Sequence, residues 1–105
     1  MKQLHELVAD KLERADAAKR AELLRISLNN IDRWLANGHT APHRLEQWRQ
    51  IILHAEKTPE GFRLLLALLR DPSEQSERLR DFAPFAGVLT AAERLAVIRQ
   101  CVYSH

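Results

Sequence analysis

The stretch from Thr58 to Pro72, TPEGFRLLLALLRDP, constrains this chain more than any other. Thr58 is a capping residue, Pro59 is favoured in a first helical turn, and Glu60 suits the positive end of a helix, so three signals mark one start. Asp71-Pro72 marks the stop. Between them Phe62, Leu65, Leu66, Leu68 and Leu69 leave little of the circumference polar, which predicts a central, deeply buried helix. Such a helix needs apolar partners on several sides, and the remaining sequence offers them at helical spacing. Leu4, Leu7, Val8 and Leu12 share a face of a helix over residues 1–14. Leu45, Trp48, Ile52 and Ala55 share a face of another that opens near Pro42. Ser73 caps a short helix over residues 74–82, anchored by Leu79 and Phe82. After a break at residues 83–87, Thr90-Ala91-Ala92-Glu93 is a capping box that opens a last helix to about Tyr103. Leu95, Ile98 and Val102 form one stripe of that helix, and Val97 and Cys101 a second. A short helix with two apolar stripes needs two partners, the core and a second subunit. With only 3 Gly, 4 Pro, 2 Trp, 1 Tyr and 3 Phe, the composition opposes a β-rich fold.

Residues 20–48, RAELLRISLNNIDRWLANGHTAPHRLEQW, carry the functional signal. Asp16 caps a helix over residues 17–25. Ser27, whose hydroxyl can accept an orphan N–H one turn in, caps a second over residues 28–37. Ile31, Trp34 and Leu35 make one apolar face of that second helix. Asn29, Asn30, Asp32, Arg33 and Ala36 lie mostly off it. Gly38 ends the helix in the left-handed conformation. Asn and Arg are the side chains that form bidentate bonds to adenine and guanine edges, so this polar face suits the major groove.

The stretch resembles the helix-turn-helix of the phage-repressor (Xre-type, lambda-repressor-like) DNA-binding family, over roughly the first two-thirds of the chain. Ala21 stands at the small mid-helix position, and Leu24 and Ile26 at the aliphatics flanking the turn. Ile31, Trp34 and Leu35 match the apolar residues of the recognition helix, and Gly38-His39-Thr40-Ala41-Pro42 matches the G-x-x-x-P that follows it. Two positions depart from the pattern: Arg25 stands where the turn usually holds glycine, and Arg20 where an apolar residue is usual. The resemblance implies an all-α, compact helical domain with a helix-turn-helix plus a C-terminal helical extension. Residues 1–72 would be the DNA-binding domain and residues 73–105 the extension, suited to dimerisation. Leu28, Asn29, Asp32 and Arg33 would read bases. Lys19, Arg20, Ser27, Asn30, Asn37, His39, Thr40, His43 and Arg44 would meet the DNA backbone. Leu28 would touch a thymine methyl or pack on the preceding helix. Asp32 would accept from a cytosine amine or pair with Arg33 or another neighbour.

Charge is a modest guide, with a net of +2 and a pI near 9. Its distribution says more. Residues 17–50 hold Lys19, Arg20, Arg25, Arg33, Arg44 and Arg49 against Glu22, Asp32 and Glu46, whereas from Pro59 onward arginines and acids balance. The lone Cys101 forms no intrachain disulfide and favours a reducing, cytoplasmic setting. His5, Glu6 and Asp10 interrupt any N-terminal signal, and the longest apolar run, Leu64 to Leu69, is too short for a bilayer, so no membrane partner is expected. No cofactor is called for. His39 and His43 stand four apart, but Pro42 breaks the helix that would align them, so a metal is not expected. There is no glycine-rich phosphate loop, no H-E-x-x-H and no nucleophile with a matched base, so the chain is not expected to be an enzyme.

Two functions fit these residues. One is a sequence-specific regulator of transcription that binds double-stranded DNA as a homodimer on an inverted repeat. The other is a helical protein-interaction module, an adaptor or inhibitor, that keeps the helix-turn-helix shape. The modest charge and Asp32 favour the second.

Overall fold

The computed structural model describes residues 4–38 and 41–95. Among them lie α1 (Leu4–Arg14), α2 (Ala17–Ala36), α3 (Pro42–Lys57), α4 (Pro59–Arg70) and α5 (Glu74–Arg80), and residues 91–95 are again helical. The described chain is an all-α domain without strands. None of its helices is long and apolar enough to cross a membrane.

Most starts follow the expected chemistry. Asp16 accepts from the Lys19 N–H at 2.8 Å, Thr58 from Gly61 N–H at 2.9 Å, and Ser73 from Ser76 N–H at 3.3 Å. Thr90 and Glu93 form the reciprocal capping box, with bonds of 2.8 and 3.1 Å. Gly38 closes α2 with φ +76°.

α3 and α4 form the tightest pair, joined by Thr58 alone, which ends one helix and caps the next. α1 lies on α4, and α2 lies on α3. Leu12, Ile31, Leu45, Trp48, Ile52 and Leu65 are fully buried at the centre of a single core. α4 is not buried all round. Phe62, Leu65, Leu66 and Leu69 face inward, but Leu64 is 61% exposed. α4 packs mainly against α1 and α3 and only lightly against α5, which leaves its Leu64 side open. Phe85, Val88 and Leu89 belong to this same core, so residues 84–89 are built into the domain rather than appended to it.

The largest departure from expectation is the missing turn. α2 runs unbroken for 20 residues through Arg25, Ile26 and Ser27. Described residues with positive φ are Gly38 and Gly87, and no side-chain-bearing residue adopts it. A left-handed Arg25 would cost about 1–2 kcal/mol, and no Gly or Pro between residues 17 and 36 offers a cheaper break. Ser27 is therefore not an N-cap. It is buried mid-helix, and its hydroxyl donates to Leu23 O at 3.1 Å.

Arginines tie the helices together. Arg20 donates to the carbonyls of Leu12, Glu13 and Ala15 at the end of α1, with its guanidinium 3.9 Å from the Phe62 ring centroid. Buried Arg80 donates to Leu68 O and Asp71 O at the end of α4, at 2.8 and 2.6 Å. Arg70 bridges to Asp10 and Glu13 on α1, and Lys11 to Glu93.

Three carboxyls are held below their ordinary range: Glu13 by Arg70, Asp71 by the hydroxyl of Ser76, and Glu93 by Lys11. A carboxyl lowered in the folded state supplies stability above its unfolded pKa and loses it on further acidification. These three groups should thus add a fall in the urea midpoint below about pH 4. The triple variant Glu13→Gln, Asp71→Asn, Glu93→Gln should flatten that fall.

Candidate functional site

The open side of α2 is centred on Asn29. Ala18, Glu22, Arg25, Asp32, Arg33 and Ala36 surround it, all exposed. Helical geometry sets Arg25, Asn29, Arg33 and Asn37 at successive four-residue steps, so they form one slowly turning stripe. Each is exposed. The two acids of this face are engaged. Asp32 pairs with Arg49 on α3, and Glu22 lies 3.4 Å from Lys19. Of the partners expected for Asp32, a cytosine amine, Arg33 or another neighbour, the structure shows neither named one but Arg49 of α3.

Arg33 is positioned by a chain of bonds. Its Nη2 donates to Asn30 Oδ1 at 2.7 Å. The Asn30 amide in turn donates to Pro84 O at 3.0 Å and Ala86 O at 2.7 Å. Asn30 is 4% exposed and cannot meet a DNA backbone as expected. Its polarity serves two turn carbonyls, of which that of buried Pro84 would otherwise lack a donor.

Other expected contacts divide in the same way. Ser27 is internal and Arg20 is committed to α1 and Phe62, so neither is available to phosphate. Leu28 is part-buried and packs against the core; the preceding helix it was expected to pack on is its own helix. Lys19 is exposed beside Glu22 near the far end of α2. Asn37 is exposed at the C-cap of α2, its backbone N–H donating to Arg33 O. His39 and Thr40 lie outside the described residues.

His43 and Arg44 stand in the first turn of α3, which holds no acid and follows Ala41, a residue without a side-chain acceptor. The Arg44 cation there opposes the helix dipole, an arrangement that a bound anion would relieve. Arg44 also lines an open cleft of about 440 Å³ with Glu74, Gln75 and Arg78 of α5. Among the described residues no three His, Cys, Asp or Glu side chains come together as a metal set.

Comparison with known protein families, curated proteins and solved structures finds no match.

Sequence reasoning placed Arg49 among the basic residues but missed its pairing with Asp32, and it missed Arg78 and the Asn30 clamp. The two arginines come from other helices and carry no local signal. Asn30 had one: it follows Ser27 by three residues, on the inward side of a helix whose pattern otherwise asks for an aliphatic.

Proposed function

We propose that this chain binds double-stranded DNA through the outward face of α2 and the opening turn of α3, and that it regulates transcription. The observation that carries this reading is the uncovered stripe Arg25, Asn29, Arg33 and Asn37, with Arg33 held by the Asn30 clamp. A single straight helix, rather than the short second helix of a helix-turn-helix, would enter the groove. Asn29 and Arg33 have the chemistry to read adenine and guanine edges. Arg44 and His43 would meet phosphate. Two copies would give an inverted repeat.

Selection of bound sites from a random duplex pool, followed by gel retardation, tests this. Arg33→Ala is expected to cost about 1–3 kcal/mol on the selected site and relax preference at one position. Arg44→Ala is expected to weaken all duplexes alike and reduce the salt slope by about one. No retardation at moderate salt, or an unchanged preference in Arg33→Ala, would overturn the reading.

A second reading, a protein-interaction module, is favoured by Leu64, a large apolar side chain 61% exposed on α4. Under it Leu64→Glu abolishes partner binding and Arg33→Ala does not.

A further inference from the structure

We propose that residues 83–89 form a proton-operated strap, and that charging His5 loosens it from α1 and frees the anchor of Arg33. The strap holds on two sides. Toward the core, Phe85 meets Trp48 edge-on and Val88 and Leu89 are buried. Toward α2, its Pro84 and Ala86 carbonyls hold the Asn30 amide. Where it crosses the start of α1 the fit is looser. A cavity of about 110 Å³ remains there, lined by Leu4, His5, Val8, Phe85, Leu89 and Arg94 among others.

His5 is half-buried at this seam. Arg80 and Asp81 at the end of α5 act on it electrostatically, and Arg94 from residues 91–95 lines the same cavity. On α1 itself, Lys11 lies nearly two turns on and is engaged by Glu93. Arg80 cannot retreat, because it is buried and fixed on two carbonyls. Burial and then Arg80 hold the imidazole pKa below its ordinary value, and Asp81 opposes them more weakly. An imidazole whose pKa is depressed in the closed form takes its proton first in the open one. Closure is therefore fully favoured above the ordinary value near 6.5 and is lost as pH falls from there toward the closed-state value. Each pKa unit between the two forms is worth about ten-fold in the open population. Opening removes the carbonyls from Asn30, and with them the fixed seat of Arg33.

Hydrogen exchange by NMR on the full chain tests this at about pH 7.5 and about pH 5.5, corrected for intrinsic rates. The reporters are the Val88 N–H, bonded to Phe85 O, and the side-chain amide of Asn30. Backbone amides of Leu65 and Leu66 serve as the internal reference. Strap protection is expected to fall relative to α4 on acidification, by at most about ten-fold over this range, and to keep its neutral-pH ratio at both values in His5→Gln. The His5 ring carbon shift should titrate below the ordinary imidazole range. A constant ratio in the native chain, or a response that survives in His5→Gln, overturns the proposal. So does a His5 ring that titrates at or above the ordinary value, a measurement that needs no variant.

Discussion

Trp48→Ala is expected to lower the unfolding free energy by about 3–5 kcal/mol, read as a shift of the urea midpoint by far-UV circular dichroism. Trp48 is fully buried in α3. Its ring faces Phe85 at 5.4 Å between centroids and 88° between planes, and its Nε1 donates to Leu79 O at 2.9 Å. The substitution thus leaves a cavity, removes an aromatic pair and strips a donor from a part-buried carbonyl. These losses fall where α3, α5 and the strap converge. Against a typical total of about 5–15 kcal/mol, such a loss brings a domain of this size close to unfolding. Trp48→Phe keeps most of the volume and should cost less than half as much. A loss under about 1 kcal/mol in Trp48→Ala would mean that residues 79–89 are not seated on this ring.

Gly61→Ala is expected to be nearly as damaging, although alanine is the better helix former by about 1 kcal/mol. A Cβ on Gly61 would stand 2.2 Å from His54 O and 2.4 Å from His54 C. Both are backbone atoms of α3, so no side-chain rotation gives relief. The His54 carbonyl also accepts from the N–H and hydroxyl of Thr58. The clash therefore pushes at the one-residue joint between the two most closely packed helices. Overpacking typically costs about 1–3 kcal/mol and occasionally more, and backbone contacts this close put Gly61→Ala at the upper end, which thermal unfolding would show as a lowered midpoint. An unchanged or raised midpoint would mean that α4 does not ride on the last turn of α3. Gly87→Ala is a useful contrast: its added Cβ meets only Ile26 at an ordinary 3.7 Å, and its strain comes from φ +86° instead.

Local chemistry made much of the fold legible. Pro42, Thr58-Pro59, Asp71-Pro72-Ser73 and Thr90 to Glu93 mark helix starts because a cap or a proline acts on its own few neighbours. The same reasoning failed at residues 25–30. Ser27 and Asn30 have the composition of a helix start, but which backbone groups they serve depends on distant parts of the chain. Asn30 serves Pro84 and Ala86, and nothing near residue 30 announces them. Arg20 looked like a phosphate contact because its true acceptors, the last carbonyls of α1, become reachable only once α2 folds back. The expectation that α4 is deeply buried failed in the opposite sense, with Leu64 left exposed, since periodicity measures how apolar a helix is and not how many neighbours arrive to cover it. Of the candidate interface, the exposure of Asn29, Arg33, Asn37 and His43 could be anticipated from helical spacing. The neutralisation of Asp32 by Arg49 and the approach of Arg78 to Arg44 required the packing of α3 against α2 and α5.

The Asn30 clamp also sets a timetable. Its acceptors lie 54 and 56 residues downstream, so a ribosome finishes α2 well before it delivers Pro84 and Ala86. At about 5–20 residues per second that delay is roughly 3–11 s. Until then the Asn30 NH2 lacks its two carbonyl acceptors, and Trp48, once made, still lacks Phe85. A nascent chain halted before the strap emerges would therefore present this polar seam and an unfinished core to whatever chaperone waits at the exit tunnel.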